Sequence, residues 1–363
     1  ATLAQPVLAR VKLFPSRLVC VCVRGLFVMA MRAGAVATAA TATAAGIVVF
    51  ERQRRKDSAL ARGSETSCES SVARAALPFD RKAQLAERLT LKSVARCMSA
   101  DYKAPRLDMS ERVRRDCGED AFFVAEPTLV TAAVGIADGV GGWSGQGIDP
   151  ALFAWELMNR CQDVAEHEAP PAADPRRLLE SGFELLRKAS GGAPVGSSTA
   201  CVASLDRLSG ELRVANLGDS GAFLVRGGGD CVLESKAQQH RFNCPYQLMV
   251  APAGYGGGDD PKLADVYAAK VQEGDLLVLA TDGVLDNVSR EQLLDVATEM
   301  RSAGPEAIAE RLVHLARTRA RGGDETPFSL AARAAGYRHV GGKPDDITVV
   351  VARVERAAVA MQE

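Results

Sequence analysis

The chain of 363 residues carries 44 Lys+Arg against 45 Asp+Glu, a formal net charge of −1, and is 47% hydrophobic and 25% charged. That composition belongs to an ordinary globule with a sizeable core, and the near-neutral balance argues against nucleic acid as a main partner, which calls for a basic field. The 4 His form no HExxH pair and the 9 Cys show no CxxC spacing, so His-ligated zinc hydrolysis, a zinc ribbon and a disulfide framework are not indicated and a reducing compartment is the default.

Residues 1–50 hold Arg10, Lys12, Arg17, Arg24 and Arg32 but no acidic residue, and they are rich in Ala, Thr and Val. This is the texture of an organelle transit peptide. The uncharged run from Ala33 to Phe50 also approaches the length of a membrane span. Three readings stand: a transit peptide, a membrane anchor through 33–50, or a secretory signal. Residues 51–104 read as a connector, partly helical, because Leu85, Leu89, Val94 and Cys97 fall near helical spacing within 81–98.

From residue 105 to about 357 the pattern is that of one domain, with 358–363 as a tail. Asp120 to Val124 and Leu129 to Ile136 are β-rich runs. Asp149-Pro150 starts a helix whose Phe153, Leu157, Cys161 and Val164 share a face, and Asp174-Pro175 starts a second through Leu186. A meander follows: 198–205, 212–216, 222–226 and 231–234, separated by tight polar or Gly-rich turns that pair strands antiparallel. Another strand lies within 271–279. Helices open at the Ser289…Gln292 capping box and after Gly304-Pro305, and 347–354 is the last strand. Antiparallel strands with helices in pairs give an α+β fold.

Acidic residues stand where these strands end: Glu119-Asp120, Asp138-Gly139, Asp219, Asp282-Gly283 with Asp286, and Asp345-Asp346. Singly, each is ordinary turn or cap chemistry. Gathered at one sheet edge, such carboxylates repel and need cations between them. An all-oxygen donor set selects hard ions, Mg²⁺ or Mn²⁺, and a pair of them can activate a water for in-line attack on phosphorus.

The stretches Gly118-Glu-Asp-Ala121, Ala137-Asp-Gly-Val-Gly-Gly-Trp143, Gly196-Ser-Ser-Thr-Ala200, Asn216-Leu-Gly-Asp-Ser-Gly221, Ala280-Thr-Asp-Gly-Val-Leu-Asp-Asn287 and Gly342-Lys-Pro-Asp-Asp-Ile-Thr-Val349 resemble, in order, the metal-dependent type 2C serine/threonine protein phosphatases. The resemblance covers 105–355. The wording of the second and last, together with Gln238-Gln-His-Arg-Phe-Asn243, is similar to the mitochondrial and plastid-associated branch. It implies a four-layer α/β/β/α sandwich of two antiparallel sheets flanked by helix pairs, with the metals at one end. It implies that Asp138 bridges two metals, with the carbonyl of Gly139 as a ligand. Asp282 and Asp345 complete the first metal, Glu119 holds the second, and Asp120 braces its water shell. Asp219 and Asp286 match positions for a weak third metal. Arg115 stands where the family holds the phosphate, an apt place for a guanidinium fork, though Arg112-Val-Arg-Arg115 also reads as a solvated basic strand end. Many relatives carry a His as general acid after the Asp-Gly dipeptide; this chain has Val140.

The implied function is hydrolysis of phosphoserine or phosphothreonine in phosphoprotein substrates, without a covalent intermediate. The alternative is a catalytically silent phosphatase-like scaffold in an organelle assembly; the complete set Asp138, Asp282 and Asp345 favours the enzyme. A small-metabolite phosphatase would need a closed pocket, which nothing in the sequence indicates. The expected location is the mitochondrion, with the plastid as alternative. His240 reads as a structural hydrogen-bonding residue and Cys117 as a small buried hydrophobe beside the site. Trp143 reads as either cleft lining or packing, and Tyr255 to Gly258 as a mobile surface segment.

Overall fold

The computed structural model describes residues 88–101, 103, 115–167 and 174–357. The expectations for 1–50, for 51–87 and for the tail 358–363 lie outside these residues. The strands are β1 (Leu89–Met98), β2 (Asp120–Val124), β3 (Thr131–Asp138), β4 (Gly196–Ser198), β5 (Ala200–Asp206), β6 (Glu211–Leu217) and β7 (Gly221–Val225). They continue as β8 (Cys231–Glu234), β9 (Gln239–Arg241), β10 (Cys244–Pro245), β11 (Leu248–Val250), β12 (Asp265–Lys270), β13 (Leu276–Ala280) and β14 (Ile347–Arg356). The helices are α1 (Pro150–His167), α2 (Pro175–Arg187), α3 (Asp282–Leu285), α4 (Arg290–Glu299), α5 (Pro305–Ala320) and α6 (Pro327–Ala334).

Two five-stranded antiparallel sheets form the centre, in the orders β1-β14-β13-β7-β8 and β12-β6-β5-β3-β2. Side-chain alternation explains how they stack. On β13, Leu277 and Leu279 join Val350 and Ala352 of β14 and Cys201, Ala203 and Leu205 of β5 in a core between the sheets. The intervening Leu276, Val278 and Ala280 face α4 and α5 with Leu293, Ile308 and Leu312. On the far side, Ala200 and Val202 of β5 turn toward Phe153, Leu157, Cys161 and Val164 of α1 and Leu178, Leu179 and Leu186 of α2. The result is the four-layer sandwich. Because both sheets are covered on both faces, their central strands are continuous apolar runs such as Leu276–Ala280.

The expected helix starts are present. Asp174 accepts the N–H of Arg176, and Ser289 and Gln292 make a reciprocal capping box. No helix among the described residues is long and apolar enough to cross a membrane.

Several expectations are corrected. The helix read within 81–98 is in its described part strand β1, paired with β14 from Leu89↔Arg356 to Met98↔Ile347, so 89–98 belong to the sandwich and not to a connector. Its period is two: Leu89, Leu91 and Ala95 pack into the inter-sheet core. The meander is interrupted, because β6 and β7 lie in different sheets and the chain crosses between them at Gly218–Ser220. Edge strand β12 and helix α6 were not anticipated. Cys117 is not a bare hydrophobe but is bonded to Cys97, with Cα atoms 4.9 Å apart, against the expectation that no disulfide is indicated.

Candidate active site

Strand register brings the acidic residues to one end of the sandwich. Asp120 opens β2 directly opposite Asp138, which closes β3. In the other sheet Ala280 pairs with both Gly221 and Val349. The segments just beyond those residues therefore emerge together: Asp219 before β7, Asp282 after β13, Asp345 and Asp346 before β14. Glu119, Asp120, Asp219, Asp282 and Asp346 are buried; Asp138, Asp286 and Asp345 are half-buried.

A frame of hydroxyls and amides holds these carboxylates. Thr199 donates its N–H to the Asp138 carbonyl at 3.0 Å and accepts the Asp138 N–H on its hydroxyl at 3.1 Å, while touching the Ser220 hydroxyl at 2.9 Å. The Thr281 hydroxyl donates to Asp120 Oδ2 at 2.9 Å, and the Gln239 amide donates to Asp219 Oδ2 at 2.9 Å. Ser144 donates to Glu119 Oε1 at 3.0 Å. Gly139 gives its N–H to the Glu119 carbonyl at 3.2 Å; a Cβ there would sit 2.6 Å from that oxygen, so only glycine fits. Gly118 has φ +66°, and a Cβ would fall 2.1 Å from the Asp346 carboxyl.

Two lysines share the site, and neither was read from the sequence as functional. The Lys343 ammonium touches Asp282, Asp286 at 2.7 Å and Asp345 at 3.2 Å. Lys103 touches Glu119 at 2.6 Å and Asp346. The quoted Gly-Gly-Lys-Pro-Asp-Asp stretch contains Lys343, but spacing alone does not say that its side chain folds back. Asp346, read from the sequence as one of the clustered acids but given no role, accepts the N–H groups of Ala100 and Glu119, each at 2.7 Å.

Two cations do not neutralise the cluster. Burial, reinforced by neighbouring carboxylates, raises Asp120 and Asp138 well above the usual carboxyl range. Burial likewise pushes Asp219 and Asp286 up to about 7 and Asp345 up to about 6. Burial also opposes ionisation of Asp282, but there the Lys343 charge wins and the carboxyl is held low. Oδ1 of Asp120, of Asp219 and of Asp282 is buried with no hydrogen-bond partner. Orphaned anionic oxygens converging at one edge suit divalent cations with oxygen ligands.

Arg115 opens a short 3-10 turn, Arg115–Cys117, but its side chain lies outside what is described, so the phosphate-holding role stays an expectation. His240 contacts Asp259 at 3.0 Å and stacks on Tyr246, in keeping with a structural hydrogen-bonding residue. Trp143 is buried and donates its indole N–H to Ser197 at 2.7 Å, which settles it as packing beneath the loop that follows Asp138. Tyr255, at the head of the Gly-rich segment, leans on Trp143 and donates to Gln146 at 2.6 Å.

Comparison with known proteins agrees with this geometry. Residues 131–355 match the family described as Stage II sporulation protein E (SpoIIE). Protein phosphatase PTC7 homolog fig of Drosophila mojavensis is 43% identical over 247 residues, covering 66% of this chain and 78% of that protein. Its counterpart in Drosophila virilis is 40% identical over 285 residues, covering 75% and 90%. The X-ray structure of the photosystem II phosphatase PBCP superposes with a TM-score of 0.62 at 30% identity, over 73% of this chain and 99% of that one. Relatives and architecture converge, and the chain belongs to the type 2C family of metal-dependent serine/threonine protein phosphatases.

Proposed function

We propose that the acidic edge is a site for two Mg²⁺ or Mn²⁺ ions, which Asp138, Asp282, Asp345 and the Gly139 carbonyl, with Glu119 and Asp120, would hold. Asp219 and Asp286 are assigned to a weaker third. The observation that carries this reading is the set of buried, unpartnered carboxylate oxygens on Asp120, Asp219 and Asp282. When bound, the ions lower the pKa of a shared water and offset the charge of the phosphate.

The protein's own part is to fix the donors and the approach. Thr199 fixes the backbone of Asp138 and Thr281 holds the Asp120 carboxylate, which limits how far these donors have to reorganise during reaction. Arg115 is assigned to the phosphate dianion of the substrate. Attack by water on phosphorus breaks the bond to the seryl or threonyl oxygen and releases inorganic phosphate. Val140 has no proton to give, so the leaving oxygen takes its proton from water. The silent-scaffold alternative gives way to relatives that are named protein phosphatases.

Phosphate release from a phosphothreonine peptide by the full chain, with Mn²⁺ or Mg²⁺ against excess chelator, tests the reading. Turnover that requires the ion supports it; turnover indifferent to chelator contradicts it. We also propose that residues 1–50 direct the protein to the mitochondrion, on the strength of their basic, acid-free composition. A fusion of 1–50 to a fluorescent protein should be imported there, and plastid or cytosolic fluorescence would sink the assignment. Carbonate extraction of the fusion decides whether 33–50 anchors it in the membrane or leaves with a cleaved leader.

A further inference from the structure

The Cys97–Cys117 disulfide ties β1 to the turn that delivers Glu119 and Asp120, across a sequence separation of 20. Cys117 is fully buried, whereas Cys97 is half-buried and lines a cavity of about 430 Å³ with Asp116, Lys103 and Arg317. The same turn is fastened without covalent bonds by Asp346, which takes the N–H groups of Ala100 and Glu119. Lys103 bridges Glu119 and Asp346 from the same segment. Glu119 thus sits two residues beyond a covalent clamp, with ionic and hydrogen-bonded contacts as its other restraints.

We propose that Cys97–Cys117 is a redox-modification site that sets the grip of Glu119 on its cation. Closed, the bond holds the 117–120 turn in the geometry that ligates. Opened by a dithiol reductant, it frees the turn, and cation affinity falls. The inference rests on the metal-dependent reading of the site given above.

The chemistry is thiol–disulfide exchange. A thiolate of the reductant attacks Sγ of Cys97, the half-buried cysteine of the pair; the protein S–S bond breaks, and Cys117 departs as a thiolate that takes up a proton. The second thiolate of the reductant then displaces Cys97 from the mixed disulfide, and Cys97 is protonated in turn. Two electrons pass from the reductant, which ends as a cyclic disulfide, to the protein, which ends as two thiols. The same couple run backwards, with a disulfide oxidant, recloses the bond. Opening it removes the covalent restraint on the turn that carries Glu119, and that turn then loses conformational entropy on each binding event.

The test uses the full chain in three forms: air-oxidised, reduced with dithiothreitol and then freed of it, and reduced then reoxidised. Alkylation followed by peptide mass reads the state of Cys97 and Cys117, calorimetry reads Mn²⁺ binding, and phosphate release reads activity. The expected result is protection of both cysteines in the oxidised form and labelling of both after reduction. Mn²⁺ binding should weaken by about tenfold or more on reduction, as for loss of a group that orients a ligand, and recover on reoxidation. Cys97→Ser should bind Mn²⁺ at the weak value whatever the redox treatment; if it does not fold, Cys117→Ala replaces it. Labelling of both cysteines in the oxidised protein, or one Mn²⁺ constant in all three forms, overturns the proposal. Oxidised protein that binds Mn²⁺ yet releases no phosphate sinks the phosphatase reading instead, while the calorimetric comparison still judges the switch.

Discussion

Strand β13 has a buried aspartate at each end, and the two are treated oppositely. Asp275, just before the strand, receives the Arg226 guanidinium at 3.2 and 2.9 Å and the Gln272 N–H at 2.9 Å. Asp282, just after it, has one oxygen on Lys343 and the other without a partner. At the first end the fold supplies every donor a buried carboxylate needs, and the charge is structural. At the second the fold withholds donors and crowds in further carboxylates, a cost that makes sense only if something from solution completes the set.

The largest expected effects separate the two ends directly. Asp138→Asn should lower kcat on the order of 10³-fold or more, since a group that acts in concert with others is removed, while thermal stability holds or rises. Asp275→Asn should leave kcat alone and cost about 2 kcal/mol of stability, the value of a charge-assisted hydrogen bond lost in the interior. Activity and denaturant unfolding of both variants check this, and an active Asp138→Asn would break the comparison.

A pH series sharpens it. Asp219 and Asp286 near 7 and Asp345 near 6 lie above the carboxyl values of an unfolded chain, about 4, so the folded cation-free protein binds protons more tightly than the unfolded one. The contribution of these three carboxyls to its stability is then fullest at or below about pH 4 and is lost as pH rises through 6 to 7. Melting of chelator-treated protein should therefore fall across that window, and added Mn²⁺ should raise it most at the upper end. A melting point that climbs with pH over the same window would remove the crowded-carboxylate account.

Lys343→Met comes next in size. The ammonium stabilises Asp282, Asp286 and Asp345 when no ion is bound and competes with one that is. The variant should be less stable in chelator and bind Mn²⁺ several-fold more tightly by calorimetry, of the order expected from removing one like charge. The smallest effect is expected at Trp143→Phe, which loses the bond to Ser197 for about 1 kcal/mol and keeps kcat.

The two ends were also unequally legible. Asp120, Asp138, Asp282 and Asp345 could be read because Asp-Gly and paired acids at the ends of apolar runs survive as local patterns, and their family order adds to the signal. Lys103 and Lys343 could not, nor could the bracing role of Asp346, because each depends on where a side chain turns after the sheets stack. Edge strands were the weak point of the fold. β1, half-buried at every position but the exposed Lys92 and with Val94 breaking the apolar alternation of Leu89, Leu91 and Ala95, offered helical and extended periods together, and the extended one won through β14. β12 is mostly exposed, and only Tyr267 and Ala269 pack on the inter-sheet core, too short an alternation to stand out. The Cys97–Cys117 bond joins cysteines with no spacing motif, so proximity alone reveals it.

The central claim is that the unpartnered carboxylates at one end of the sandwich are metal ligands. Anomalous diffraction at the manganese edge, from crystals of the full chain grown with Mn²⁺, tests it most directly. The account predicts peaks in contact with Asp138, flanked by Asp282, Asp345 and Glu119, and their loss in Asp138→Asn. Manganese found elsewhere, with this edge empty in an enzyme that turns over, would contradict it.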